Sequence, residues 1–488
     1  MIAFTAAEIA DITNGRLDAE PGITPLSVVT DSREATQGSL YVAKPGENAD
    51  GHDFVGSAFA AGATLALVEH PVLSPDGTPY PSVLVPDAVL AMGKLAAESV
   101  RRIRAARAET NDELTVIGIT GSAGKTTTKD LLAGILSAHG TTVAPKGSYN
   151  GEIGVPLTVF TAGTDTRYLV IEMGATGIGH ISYLVDMVKP DIGVVLAVGT
   201  AHAGEFGGVE NIAQAKGELV EGLAASGTAI INLDDERVAA MQARTSASVL
   251  GFTAEGRPGA AVQALNADTN AEGNPEFDLL LPGGDTPHHV SSRLIGAHHT
   301  GNLLAAAAAA WAAGVSGEDI AAALSSQAAA SRWRMERTER ADGVTIINDA
   351  YNANPESMRA ALRTLADLGQ GRRTWAVLGA MLELGEDSIR EHTAVGTQVV
   401  RLNISRLVVV GREARALYVS AVQEGSWGDE CIFAEDAEEA YELLSAELEP
   451  GDLVLFKSSN SVGLRHLGDR IALPPQSPQP ADERSTLL

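Results

Sequence analysis

One cysteine, Cys431, stands in a chain of 488 residues. A single thiol excludes an internal disulfide framework and a thiolate metal cluster. Aromatic residues make up only 4% of the chain. No apolar run approaches the roughly 20 residues that a membrane-spanning helix needs. The longest candidate, LLAAAAAAWAA (303–313), reads as a short Ala-rich helix stopped by Gly314. Basic residues are scarce: 35 Lys and Arg against 62 Asp and Glu leave a net charge of −27. Such a chain carries no broad basic surface for nucleic acid or an anionic membrane, so neither is expected as a partner. Plain solubility accounts for the acidity, and anionic ligands would need local pockets. The N-terminus, MIAFTAAEIADITNG, has no basic stretch and carries Glu8 and Asp11, which speaks against a secretory signal. A cytoplasmic protein is expected.

What is present is a phosphate-binding pattern. In LTVIGITGSAGKTTTKDLL (114–132) an apolar β-type run ends in a Gly-rich turn and continues as a helix with Leu131, Leu132, Ile135 and Leu136 on one side. A strand, a Gly loop and a helix N-terminus place backbone N–H groups and the positive helix end against an anion. Gly121, Ser122, Ala123 and Gly124 form the cradle. Lys125 reaches for the outer phosphates, Thr126 offers a hydroxyl to Mg²⁺, and Thr127 follows in the first turn. Ile119 stands where the full Walker pattern has its first Gly, so the loop reads Gly-x-x-Gly-Lys-Thr.

The length implies about two to four domains. Four short β-type runs (26–30, 39–43, 64–69, 82–85) and a helix over 54–61 predict a small α/β domain, 1–85. A helix opens at Pro86 and Asp87 and runs to about Ala106. Strands then alternate with helices (114–119, 168–171, 192–198, 228–231), which predicts a doubly wound, mostly parallel sheet in a domain 86–328. Residues 245–295 are richer in turns and β-type runs. A second alternation (344–348, 374–379, 406–411, 452–456) predicts a Rossmann-like domain, 329–472, without a phosphate loop. The Pro-rich tail 473–488 is expected to be disordered.

Several polar residues end strands, where the carboxyl edge of a parallel sheet builds ligand sites. Glu172 closes RYLVIE and suits a Mg²⁺ ligand; a surface acid or helix cap is the plainer alternative. His202 ends IGVVLAVGTAH, and Lys216 follows in a helix. A lysine carbamylated by CO₂ would become an oxygen ligand, whereas sequence alone favours a solvated lysine. IINDAYNANPESM (346–358) puts Asp349, Tyr351, Asn352 and Asn354 in a loop after a strand, more polar recognition than a helix cap requires. Arg332 and Arg334 precede it as phosphate partners or, equally, as linker salt bridges.

Together these stretches resemble the ATP-dependent Mur ligases through about residue 470. The marks are TDSR (30–33), YVAKPGENADGHDF (41–54), TGSAGKTTTKD, NGEIGVPLT (150–158), EMGATGIGHI (172–181), AHAGEFGGVENIAQAKGE (201–218), DAYNANPESM (349–358), LGAMLELGE (378–386) and GDLVLFKSS (451–459). They are similar to those of the members that join D-alanyl-D-alanine to UDP-MurNAc-tripeptide. The resemblance implies three domains closing around ATP, Mg²⁺ and both substrates. It implies that Lys125 holds the ATP phosphates and that Thr126 and Glu172 bind one Mg²⁺. His202 and carbamylated Lys216 hold a second, which makes Lys125, Lys216 and His202 the catalytic set. His298 and Asn302 lie on the adenine side, and Arg334 and Asp349 reach the nucleotide. Ser32 and Arg33 meet the uridine-diphosphate end, and Asn150, Tyr351, Asn352 and Asn354 meet substrate. The chain departs from the pattern at His299, where Asn is usual, and at Ala350, Ala380, Ser458 and Asn460. Ligases of the folylpolyglutamate or cyanophycin type, a non-catalytic precursor-binding relative and a P-loop switch are the rival readings. A monomer is expected, and the sequence does not decide it.

Overall fold

The computed structural model describes residues 1–46, 49–109, 112–200, 203–284, 286–425 and 430–473, apart from the side chains of 203 and 205. It forms three sheets. The first holds β1 (Arg16–Asp18), β2 (Ser27–Val29), β3 (Ser39–Val42), β4 (Leu65–Val68) and β5 (Ser82–Leu84), in the order β1-β5-β4-β3-β2. β1 runs antiparallel to β5 and the rest are parallel. β1 had no sequence signal: it is three residues, RLD, on a half-exposed edge.

The central sheet holds β6 (Thr115–Thr120), β7 (Thr142–Val143), β8 (Tyr168–Glu172), β9 (Ile192–Val195), β10 (Thr228–Asn232), β11 (Ser248–Thr253), β12 (Val262–Thr269), β13 (Pro275–Leu280) and β14 (His288–Ser291). Its order is β14-β13-β12-β11-β10-β9-β6-β8-β7, parallel from β7 to β12, with β13 and β14 antiparallel. Helices cover both faces, so the strands are continuous apolar runs rather than alternating ones. Successive residues still part company: Val116 packs into one core, and Ile117 and Ile119 into the other. The second core includes helix His299–Ala312, fully buried from Leu303 to Ala310. Alanine side chains let that helix lie close against the sheet. The first core continues into the N-terminal sheet through helix Ala88–Ala108, whose N-terminus Asp87 caps by accepting the Leu90 N–H at 2.8 Å.

The third sheet holds β15 (Glu336–Glu339), β16 (Thr345–Asn348), β17 (Thr374–Leu378), β18 (Arg406–Val410), β19 (Cys431–Ala434) and β20 (Leu453–Lys457), ordered β15-β16-β20-β17-β18-β19. Only β15 is antiparallel, and separate apolar cores line the two faces. The expected three-part α/β architecture, with a doubly wound central sheet and a Rossmann-like C-terminal sheet, is the one observed. Among the described residues no helix is long and apolar enough to cross a membrane. Residues 474–488, almost all of the expected disordered tail, lie outside the described residues.

Candidate active site

Loop 121–124 joins β6 to helix Lys125–Ser137. Gly124 has φ +83°, and a Cβ there would come 2.2 Å from Asn302 Oδ1, so both conformation and space require glycine. No side chain caps the helix, which leaves its first N–H groups for an anion. Lys125 folds back, its Nζ donating to the Gly121 carbonyl at 2.7 Å. Burial lowers the pKa of its ammonium; the Glu172 carboxylate opposes this, and Arg334 adds to it.

Glu172, at the end of β8, is fully buried. Its Oε2 accepts the Thr126 hydroxyl at 3.1 Å, and its Oε1 accepts the Ser148 hydroxyl at 2.9 Å and Asn150 Nδ2 at 3.0 Å. The carboxylate with the hydroxyls of Thr126 and Ser148 is a group of oxygens of the kind a hard divalent cation takes. Arg334 Nη2 donates to Thr126 Oγ1 at 3.2 Å, its guanidinium lies 4.3 Å from the Tyr351 ring centroid, and its buried Nε has no partner. Lys216, on helix Val209–Glu221, is 5% exposed and pairs with no carboxylate among the described residues. Burial brings its pKa down to about 7, with Lys125 pushing the same way. A substantial share of its amine is therefore neutral near pH 7. His202 lies outside the described residues.

The other wall comes from the C-terminal sheet. Asp349 follows β16 and meets Lys457, the last residue of β20, at 2.5 Å. Lys457 Nζ also donates to the Asn352 carbonyl at 3.1 Å, and Asp349 Oδ1 accepts the Met335 N–H at 3.1 Å. Asn354 caps helix Pro355–Leu368, and its Nδ2 donates to the Ser122 carbonyl at 3.3 Å. On the central side Asn302 Nδ2 donates to His299 Nδ1 at 3.1 Å, and the rings of His298 and His299 sit 4.1 Å apart. Burial holds His299 well below the usual histidine range, so it is neutral and an acceptor at Nδ1.

A cavity of about 810 Å³ gathers these groups. Its lining includes loop 121–124 with Lys125, Thr126 and Thr127, and also Asn150, Glu172, Lys216, Asn302, Arg334, Asp349, Tyr351, Asn352 and Asn354. Ser32 and Arg33 do not line it: they form a turn of the N-terminal domain, where Arg33 pairs with Asp31 at 2.6 Å. Of the two readings open for Arg332, the salt bridge is the one observed: it does not line the cavity and pairs with Asp469 at 2.9 Å. Trp333 between the two arginines has φ +58°, and this left-handed residue breaks the regular i,i+2 relation that would have put both on one side. Sequence reasoning missed Ser148, Glu356 and Lys457. Lys457 carried the same signal as Glu172, a charge ending an apolar strand. Ser148 follows a strand of two residues and had none.

Residues 119–310 match the family model of the Mur ligase middle domain, 333–460 that of the Mur ligase glutamate ligase domain, and 27–102 that of the Mur ligase family catalytic domain. The chain belongs to the Mur ligase family, whose ligases are ATP-dependent. Within it, the chain is 43% identical to the UDP-N-acetylmuramoyl-tripeptide–D-alanyl-D-alanine ligase of Mycobacterium tuberculosis, over 96% of this chain and 98% of that one. It is 36% identical to the ligase of the same name from Escherichia coli, over 86% and 88%. Among solved structures, MurF of Acinetobacter baumannii superimposes with a TM-score of 0.84 at 32% identity, covering 97% of this chain and 99% of that one. MurF of Thermotoga maritima in complex with ADP gives 0.76 at 27% identity, covering 91% and 97%.

Proposed function

We propose that the chain is the ligase that adds D-alanyl-D-alanine to UDP-N-acetylmuramoyl-tripeptide at the expense of ATP, in the synthesis of a peptidoglycan precursor. The observation that carries this is 43% identity to ligases so named along nearly the whole of both chains. The cavity supplies the chemistry. A terminal carboxylate oxygen of the tripeptide bonds to the γ-phosphorus of ATP, and the bond to the bridging oxygen breaks, leaving ADP and an acyl phosphate. The dipeptide amine then bonds to the acyl carbon and loses a proton, and the C–O bond to phosphate breaks. The first step brings two anions together, so its barrier is mainly electrostatic. Lys125, Arg334 and the uncapped helix N-terminus place positive charge on that spot. Burial above all, and Arg334 in smaller part, disfavour the Lys125 ammonium, and a polyanion entering the cavity offsets both.

Thr126, Ser148 and Glu172 offer the oxygens that fit a Mg²⁺ ion, which when bound neutralises phosphate charge. Lys216 supports the carbamate reading, since CO₂ adds only to a neutral amine and burial provides one. As a carbamate it would join His202 at a second Mg²⁺. Asn302 holds the adenine side with His298 and His299, and Asp349 reaches the nucleotide from across the cleft. Asn150, Tyr351, Asn352 and Asn354 meet substrate, and Ser32 and Arg33 receive the uridine-diphosphate end. Contact between the central and C-terminal walls excludes water from the acyl phosphate. The division into 1–85, 86–328 and 329–472 assigns UDP-precursor, ATP and closing roles in turn, and a cytoplasmic monomer fits this reading. Phosphate release from ATP with UDP-MurNAc-tripeptide, with and without D-alanyl-D-alanine, tests it. Release that needs both substrates, with a pentapeptide mass, is expected; no release despite precursor binding refutes it.

A further inference from the structure

Glu356 sits in the first turn of helix Pro355–Leu368, on the C-terminal wall of the cavity. Its Oε1 accepts two hydrogen bonds from the central domain, from the N–H and the hydroxyl of Thr200, each at 2.9 Å. Thr200 belongs to the loop that leaves β9. The carboxylate lies directly on Gly199: a Cβ there would come 2.8 Å from Cδ and 2.9 and 3.1 Å from the two oxygens. Any larger residue would hold Glu356 off. Its second oxygen, Oε2, is buried against that glycine without a donor. Among the described residues the carboxylate's hydrogen bonds are the two from Thr200, both at Oε1.

The same loop is tied to the phosphate loop. The Gly199 N–H donates to Ser122 Oγ at 2.9 Å, the Ser122 N–H donates to the Ala197 carbonyl at 2.9 Å, and the Ser122 carbonyl accepts Asn354 Nδ2 at 3.3 Å. A ring of hydrogen bonds thus passes from the phosphate loop through residues 197–200 to the start of the C-terminal helix and back. A second contact clamps the next segment. A Cβ on Gly204, in helix Ala203–Phe206, would lie 2.6 Å from the Gly385 nitrogen, so the two backbones touch.

We propose that Glu356 is a positioning residue of the ligase reaction. By gripping Thr200 it makes docking of the C-terminal domain fix the shape of loop 197–200 and, through Ser122, of the phosphate loop. The proposal rests on the ligase reading above. Each hydrogen bond to a charged group is worth about tenfold or more, so losing both sets a scale of about a hundredfold in rate. Glu356→Ala is expected to lower kcat about a hundredfold with KM for UDP-MurNAc-tripeptide and melting temperature unchanged. Glu356→Gln, whose amide oxygen still accepts both bonds, recovers most of the rate. Gly199→Ala, which displaces the carboxylate, matches Glu356→Ala, and the double variant is no slower than either single one. Full activity in Glu356→Ala, no rescue by Gln, or additive effects in the double variant would each overturn the proposal. The unaltered protein is the control: if it releases no phosphate the ligase reading fails, whereas an active parent with an indifferent Glu356→Ala sinks only this inference.

Discussion

Lys457→Met removes one charge from the most enclosed ion pair of the cavity while keeping side-chain length. Lys457 and Asp349 are 3% and 13% exposed and 2.5 Å apart. After the change the Asp349 carboxylate keeps the Met335 N–H at 3.1 Å and loses its cation. Breaking a buried pair from one side costs about 3–5 kcal/mol, because the remaining charge stays desolvated. For a transition confined to a domain of this size that is a drop of about 10–15 °C in Tm. Neutralising the orphan as well, in Lys457→Met with Asp349→Asn, should recover most of the loss. Scanning calorimetry of the whole chain reads both, and phosphate release reports the accompanying loss of the loop that faces the nucleotide. A Lys457→Met protein within about 1 kcal/mol of the parent, or a double variant no more stable than the single, would refute the electrostatic account.

Lys125→Ala should abolish phosphate release with an unchanged circular dichroism spectrum; a near-normal rate would remove the loop from the chemistry. Because the Lys216 pKa is about 7, protein stripped of CO₂ should regain activity with bicarbonate, more readily above pH 7 than below it. Lys216→Ala should be inactive and partly restored by short carboxylic acids, and a fully active variant would leave Lys216 without a role. His299 has a folded pKa well below the ordinary 6.5. As pH falls through 6.5 the unfolded chain takes up a proton that the folded chain refuses, so stability is lost on the acid side and unaffected above. His299→Asn should flatten the acid slope of Tm, and an unchanged slope would place the acid sensitivity elsewhere.

Much of the fold was legible because parallel strands covered on both faces must be apolar throughout, and turns or helix starts must break them. β6, β8, β16 and β20 could be read that way within a residue or so. The edge strands β1 and β15 could not, since RLD and ERTE bury too little to show a period. The phosphate loop was legible for a different reason: its chemistry is carried by residues adjacent in sequence, Gly121 to Thr127. Glu172 and Asp349 were found because a polar residue at a strand end is a local pattern. Glu356 looked like an ordinary first-turn acid, and its partner is 156 positions away.

The sequence by itself determined the buried strands, their order and the anion-binding turn, since these follow from near-neighbour geometry and side-chain period. Only the tertiary structure decided which charges meet. Thr126, Glu172, Arg334, Asp349 and Lys457 come from distant parts of the chain and from two sheets whose carboxyl edges face each other. It also decided that Arg334 turns in while Arg332 turns out, and that Lys216 lies in a setting where its amine gives up its proton near pH 7. Burial and charge proximity are properties of the packed molecule, and no local stretch of sequence contains them.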